Sequence, residues 1–331
     1  MDTSACIMQK ERKVFMTTQL IRRSTSAMSR EEWLEVRRKT IGGSDAAGIV
    51  GLSSYVTPYT VWANKTGRLP DSEDNEAMRQ GRDLEEYVAR RWREATGKTV
   101  RRCNAILYNI QYPYAHADID RAVVGENAGL ECKTTSTLNV RQFHGVEFPE
   151  QYYVQCVHYM AVTGADRWYL AVLVLGKGFY TFVLERNQDE IDALMAAEKD
   201  FWDLVERDIP PVLDGMEATG EALRAIYPSS NGSSIQLFGR ESLLSEYFTL
   251  KDEAQLLEEK MAQIINTIKE DMQDSEKGSC GGYSVSWKTQ TRRQFQSKEF
   301  EKAHPEIDLR PYYKHTTLRP FKITQSAAST A

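Results

Sequence analysis

Cysteine is scarce and badly spaced for cross-linking: five residues, at 6, 103, 132, 156 and 280 of a 331-residue chain, with no C-x-x-C pair. An odd, scattered set of this kind argues against a disulfide framework or a zinc knuckle and fits a reducing compartment. Histidine is equally sparse, five residues without an H-x-x-x-H pair, so no zincin helix is encoded. No apolar run approaches the ~20 residues of a membrane span. The opening stretch MDTSACIMQKERK lacks the apolar segment of a signal peptide, so a cytoplasmic protein with no membrane partner is expected. The formal net charge is −5. That excludes a uniformly basic nucleic-acid binder but not a local basic channel, because phosphate binding depends on where charge sits.

What is present is an ordinary globular composition, 41% hydrophobic and 27% charged, in a chain long enough for one large domain or two smaller ones. Ser29 with Glu32 forms a capping box ahead of a helix that carries Trp33 and Val36. Ser44 N-caps a short helix over 46–50, and Thr57-Pro58 opens another that Gly67 closes. Leu84, Val88, Trp92 and Ala95 recur at helical spacing over 75–96, with Gly97 as the stop. Strands are expected over 105–110, 115–120 and 129–133, then a helix over 150–163. A hairpin follows, with strands 168–175 and 179–184 around Gly176-Lys177-Gly178, and then a helix over 189–205. This order predicts an α/β fold, a mixed central sheet flanked by helices. The chain divides into a flexible N-terminal arm (1–28), a core (29–208), a linker (209–235) and a C-terminal extension (236–331). In the extension Leu243, Tyr247, Leu250, Ala254, Leu257, Met261, Ile264 and Ile268 keep a heptad-like spacing. It suits a helix packed on its own domain, a helical hairpin arm or an oligomer seam. A small β element near 283–287 and a basic, aromatic tail follow. The tail suits a single-strand guide or a cap on the long helix.

The segment richest in chemistry runs His116-Ala-Asp118-Ile-Asp120-Arg, a polar turn over 125–129, then Leu130-Glu131-Cys132-Lys133. Read as two strands joined by the turn, side chains alternate faces. Asp118 and Asp120 share one face; Glu131 and Lys133 share another, with Leu130 and Cys132 turned to the core. Two or three hard oxygen ligands beside an ammonium suit phosphodiester hydrolysis, since Mg²⁺ takes carboxylate oxygens and keeps several waters. Lys133 would orient or help deprotonate the attacking water, or stabilise the transition state. The plainer alternative is an exposed ion pair on a strand.

These residues resemble the PD-(D/E)xK nuclease superfamily, and within it the phage-type YqaJ recombinases, relatives of the lambda exonuclease. The resemblance covers roughly residues 29–205. Its blocks stand in order: Arg37 seven residues before Ser44 in the IGGS block, then Gly81-Arg-Asp-Leu-Glu85 and Ala117-Asp-Ile-Asp120. Leu130-Glu131-Cys132-Lys133 and Gln155-Cys-Val-His-Tyr159 complete the set. The first acid lies in Asp-Ile-Asp120-Arg where the family has Pro-Asp-Gly, so Asp118 would share or replace the role of Asp120. Val157 stands where the family often has a second Gln.

The resemblance implies a restriction-endonuclease-like core with a C-terminal helical and β extension. By it, Asp120, Glu131, the Cys132 carbonyl and Glu85 would hold Mg²⁺, with Mn²⁺ as a substitute. Lys133 would be the catalytic lysine. Gln155 would reach the scissile phosphate or the attacking water, with Tyr159 one turn on. Arg37 and Ser44 would bind a 5′ phosphate, work to which the arginine fork is suited. It further implies a 5′-to-3′ exonuclease on linear double-stranded DNA that leaves 3′ overhangs. A homotrimer, a single-strand annealing partner and a phage or prophage origin in a bacterial host also follow from it. The alternatives are an endonuclease on the same core and an inactive DNA-binding scaffold; the scattered cysteines disfavour an iron–sulfur nuclease. Arg79, Arg82, Arg90 and Arg93 fall near one helix face, either as a duplex-facing wall or as i,i+4 partners, with Glu86 pairing Arg82 and Arg90.

Overall fold

The computed structural model describes residues 20–70, 75–136, 148–314, 316 and 318–324. Residues 1–19 of the expected arm, with Cys6, lie outside that range, as do His144 and His315. The chain forms two compact units, 1–228 and 229–331.

Within the first unit, β1 (Leu20–Ser24) leads to α1 (Arg30–Arg38). Ser29 Oγ accepts from the Glu32 N–H at 3.2 Å and Glu32 Oε2 accepts from the Ser29 N–H at 2.8 Å, the expected capping box. A two-residue strand β2 (Ile41–Gly42) runs directly into α2 (Gly43–Ile49), and α3 (Pro58–Lys65) follows with Pro58 in its first turn. Next come α4 (Glu76–Thr96), closed by Gly97 at φ 70°, and β3 (Val100–Arg102), β4 (Ala105–Asn109), β5 (Ala115–Asp118), β6 (Arg121–Val123) and β7 (Ala128–Thr135). Helix α5 (Glu150–Thr163), the hairpin β8 (Arg167–Val174) and β9 (Gly178–Glu185), α6 (Gln188–Glu206) and α7 (Glu217–Ile226) complete the unit.

The strands form two sheets, ordered β1-β4-β5-β2 and β3-β6-β7-β8-β9. Both are mixed: β2 runs parallel to β5 and β7 parallel to β8, the other pairs being antiparallel. Alternation along β7 and β8 separates the two faces of the larger sheet. Leu130, Tyr169 and Ala171 pack with Val88 and Trp92 of α4; Leu170, Val172 and Val174 form a separate cluster joined by Tyr152 of α5. The largest core cluster joins α2, α3, α5 and α6 to the smaller sheet. This is the mixed α/β architecture expected, with helices on the sheet faces.

Four features differ from the sequence reading. Residues 20–24, placed in the flexible arm, form β1 and pair with β4. The strands over 115–120 and 129–133 do not pair. The first stops at Asp118, the chain crosses between sheets at Ile119 and Asp120, and β6 then makes the hairpin with β7. β2, β3 and β6, two or three residues long, are too short to leave a period-two signal. The segment 209–235 holds α7, whose Thr219 and Ala222 are buried, with Thr219 Oγ1 hydrogen-bonded to Thr57 Oγ1 at 2.7 Å. The division between units falls after that helix, at the polar run Ser229–Ser234.

The second unit contains the 32-residue helix α8 (Glu241–Met272), the hairpin β10 (Lys277–Cys280) and β11 (Tyr283–Ser286), and the short helix α9 (Ser297–Ala303). The apolar residues of the heptad stripe, Leu243 through Ile268, are solvent-exposed, Ala254 among them. The elements of its own unit therefore leave that stripe uncovered. Among the described residues no helix is long and apolar enough to cross a membrane.

Candidate active site

Glu131 and Lys133 leave β7 on the face opposite Leu130. Glu131 is only 3% exposed. Its Oε1 accepts from Gln155 Nε2 at 2.8 Å and from Lys133 Nζ at 2.7 Å. Its Oε2 is buried with no hydrogen-bond partner among the described residues. Such an oxygen is costly to leave unmatched. Gln155, one face of α5 turned toward the sheet, also donates to the Tyr159 hydroxyl at 2.9 Å, and that hydroxyl donates to the Asp118 carbonyl at 3.0 Å. Gln155 thus touches Glu131 itself, and the Q-x-x-x-Y spacing is a bracket that fixes the carboxylate from behind.

Asp120 occupies the crossing between the sheets. Its Oδ2 accepts from the Cys132 N–H at 2.7 Å, which brings the carboxylate against β7 although β5 and β7 belong to different sheets. The N–H and C=O of one strand residue leave by the same edge, so the Cys132 carbonyl opens on the edge that Asp120 occupies. Lys133 Nζ stands 5.4 Å from the centroid of the Tyr152 ring.

Asp120, Glu131, Cys132 and Lys133 line one cleft of about 1020 Å³, and the same cleft is lined by Arg37, Ser44 and Glu85. At its other end Arg37 donates to Ser44 Oγ at 2.9 Å, and its guanidinium lies 4.3 Å from the Trp33 ring centroid. Trp33 Nε1 in turn donates to Asp118 Oδ2 at 2.9 Å, a link between the Arg37 end and the carboxylate end of the cleft. Close packing sets the IGGS turn: a Cβ on Gly43 would stand 2.6 Å from Tyr159 Cε1, and one on Gly42 would stand 2.9 Å from His116 Nε2. Asp45 Oδ2 accepts from the Gly42 N–H at 2.9 Å and pairs with Lys65 at 2.6 Å; Lys65, 4% exposed at its side chain, also donates to the Arg37 carbonyl at 3.0 Å.

Charge is concentrated where solvent is absent. Burial, with Glu131 and Glu85 beside it, pushes Asp120 well above the ordinary carboxylate range; Lys133 and the Cys132 N–H pull it back only in part. Burial likewise raises Glu131 against the pull of Lys133, and raises Asp118 against Arg37 and Trp33. Burial works against the Lys133 ammonium, but Glu131 and Asp120 outweigh it and hold the group above the ordinary lysine range. The centre is over-supplied with negative charge, a condition that a cation relieves.

The donor set suits a hard divalent cation: the orphaned Glu131 Oε2, the Asp120 carboxylate and a strand carbonyl at the same edge. Among the described residues no three His, Cys, Asp or Glu side chains close into a cage around one point. Mg²⁺ does not need one, since it binds through one or two carboxylates and keeps waters. Glu85 lines the cleft, but its Oε1 is bound by the Arg121 guanidinium.

Sequence reasoning missed Trp33, Asp45, Lys65 and Arg121. The helical spacing shows only the apolar face of Trp33, whereas its indole N–H carries the link. Asp45 stands three residues after Gly42 at the start of a helix, the position from which a carboxylate reaches back to the N-cap N–H, and this one half of a capping box is visible in IGGSD. His158 and Cys156 are buried, as a packing role requires; His158 pairs with Glu198 at 2.7 Å and bonds the His116 carbonyl at 2.8 Å. On α4, Arg79 pairs with Asp83 and Arg90 with Glu94, both at 3.9 Å and exposed. Glu86 bonds Arg102 and Arg121. Such exposed pairs contribute little to stability.

A family model described as the YqaJ-like viral recombinase domain matches residues 32–166, a range that contains Trp33, Arg37, Ser44, Glu85, Asp120, Glu131, Cys132 and Lys133 of the cleft, and Gln155 and Tyr159. The Bacillus subtilis (strain 168) protein YqaJ is 38% identical over 306 residues, 91% of this chain and 96% of that protein. Among solved structures, the alkaline exonuclease LHK-Exo of Laribacter hongkongensis is similar at 19% identity and a TM-score of 0.44, over 54% of this chain and 93% of that one. A phage-related exonuclease of Haemophilus somnus 129PT is similar at 13% identity and a TM-score of 0.39, over 53% and 99% respectively.

Proposed function

The chain belongs to the YqaJ-like viral recombinase family, and we propose that it is a Mg²⁺-dependent nuclease. In this reading it degrades linear double-stranded DNA from 5′ ends and leaves 3′ single-stranded overhangs for annealing recombination. The observation that carries the reading is the buried Glu131 carboxylate, one oxygen held by Gln155 and Lys133 and the other unmatched, with Asp120 tied to the next peptide.

Asp120, Glu131 and the Cys132 carbonyl would hold the cation. A bound Mg²⁺ supplies Lewis acidity toward a phosphate oxygen and acidifies water. The chain supplies the rest. Lys133, held against Glu131 at 2.7 Å, places its amine where charge builds on phosphorus. Gln155 and Tyr159 keep Glu131 from rotating away. Arg37, stacked on Trp33 and bonded to Ser44, presents the fork and hydroxyl that bind a terminal 5′ phosphate. Mn²⁺ would substitute, since it takes the same oxygen donors. A closed homo-oligomer such as a trimer, a single-strand annealing partner and action in the cytoplasm of a bacterial host belong to the same proposal.

The test uses purified protein with linear duplex, 5′-phosphorylated or not, and with closed circular duplex, each with and without Mg²⁺. Loss of linear DNA only with Mg²⁺, faster from phosphorylated ends, is the expected result. Cutting of circles would point to an endonuclease, and binding without cleavage to a scaffold; either overturns the reading.

A further inference from the structure

Asp120 is followed by an arginine. Arg121 is buried, its side chain 3% exposed, and it pairs with Glu85, which lines the cleft. Its guanidinium donates to three acceptors: Glu85 Oε1, Glu86 Oε2 at 3.0 Å and the Asp120 carbonyl at 2.8 Å. Glu85 and Glu86 are successive residues of α4 and leave the helix about 100° apart. One planar fork at the flank of the helix takes both. The same group is bonded to the carbonyl of Asp120, so the position of Glu85 and the backbone of Asp120 are set together.

Resting on the reading of this cleft as a metal-dependent nuclease centre, we propose that Arg121 is a positioning residue that holds Glu85 off the cation-binding carboxylates. Glu85 then adds its oxygens only when the Arg121 pair opens. Three observations converge on this. Glu85 lines the same cleft as Asp120 and Glu131 and is 28% exposed at its side chain, so it is free to turn toward them once released. It already lies close enough to act electrostatically on Asp118, Asp120 and Glu131. Arg121 is always charged and pre-organised for a bidentate grip, and the Asp120 carbonyl and Glu86 keep it from following Glu85. While the pair is closed the centre offers two carboxylates; open, it offers three. A buried Arg–Glu pair with no role beyond stability would couple to folding alone, not to cation affinity.

The experiment is a Ca²⁺ titration by isothermal calorimetry on the full chain and its variants, with circular dichroism and a thermal melt to verify folding. Ca²⁺ takes more oxygen ligands than Mg²⁺ and so reports a third carboxylate. Arg121→Gln should tighten Ca²⁺ binding on the order of ten-fold. Glu85→Gln in the otherwise native chain should change it little. Glu85→Gln added to Arg121→Gln should remove the gain, the non-additivity expected of two groups in one network. Arg121→Lys keeps the charge but loses the fork, and should tighten binding in the same direction; it serves where Arg121→Gln does not fold. If the Arg121 variants bind no tighter, the proposal is overturned. If the double variant keeps the gain, Glu85 does not supply the added oxygens and the proposal is again overturned; if Arg121→Lys, which keeps the charge, folds and gives no gain, the effect of Arg121→Gln is one of net charge and the proposal is overturned as well. Absence of any Ca²⁺ or Mg²⁺ binding by the unsubstituted protein sinks the metal-dependent reading itself, which separates the two failures.

Discussion

Single residues in this cleft are held by charges that burial alone would forbid. Asp45 shows the arithmetic: burial raises a carboxyl, yet Lys65 and Arg37 bring it from the ordinary 3.8 down to about 2. A group whose folded value is depressed contributes stability above its unfolded value, and that contribution disappears as pH falls through the folded one. Asp45 therefore stabilises the fold by about 2 kcal/mol above pH ~4 and loses this between about pH 4 and 2. Asp45→Asn should flatten the acid limb of a pH-dependent denaturation curve over that interval while lowering stability at neutral pH. An acid limb identical to that of the unsubstituted protein would remove Asp45 from the account. The same residue caps Gly42 and steadies the turn that carries Ser44, so its loss should also weaken the preference for a 5′ phosphate.

At the scale of elements, much was legible because strong periodicities and stop signals are local. The Leu84–Val88–Trp92 spacing with Gly97 defined α4, Gly164 closed α5, and the Gly-Lys-Gly turn marked the β8–β9 hairpin. The crossing at Asp120 was not legible. Its position depends on which sheet each strand joins, a non-local outcome that neither alternation nor turn chemistry encodes. The site survived that error because Asp120 reaches β7 through the Cys132 N–H rather than through strand pairing. Equally hidden was the tie between α5 and α6, the pair His158–Glu198, both side chains 0% exposed. Burial disfavours the charged imidazole, but Glu198 outweighs it and raises His158 above its ordinary 6.5. A raised group stabilises the fold fully below its unfolded value and ceases to do so as pH climbs through the folded one. Breaking a buried pair from one side typically costs about 3–5 kcal/mol. Glu198→Gln should cost stability of that order near pH 6 and abolish the alkaline-side decline that His158 produces. An unchanged melting profile across pH 6–9 would show that the pair does not hold α5 to α6.

For the molecule as a whole, the division after Pro228 places every cleft residue and all three buried clusters in the first unit. The first unit has its own core, including α7 from the segment read as a linker, and meets the condition for independent folding. A chain ending at residue 228 should unfold cooperatively and keep Mg²⁺-dependent cleavage of linear duplex. A fragment that is unfolded by circular dichroism would contradict that division. One ending at residue 208, without α7, should melt lower because it loses the buried Ala222 and the Thr57–Thr219 bond. The outward heptad stripe of α8 was evident from spacing; its exposure was not, because periodicity identifies an apolar face without saying what covers it.

The central claim is that the Glu131 carboxylate, clamped by Gln155 and Lys133 beside Asp120, is the centre of hydrolysis. Glu131→Gln tests it most directly, since the amide keeps the shape and removes the charge. Single-turnover cleavage of 5′-phosphorylated linear duplex in Mg²⁺ should fall by more than about 100-fold, with a melting temperature equal to or above that of the unsubstituted protein. A Glu131→Gln protein that cuts at the native rate would contradict the account.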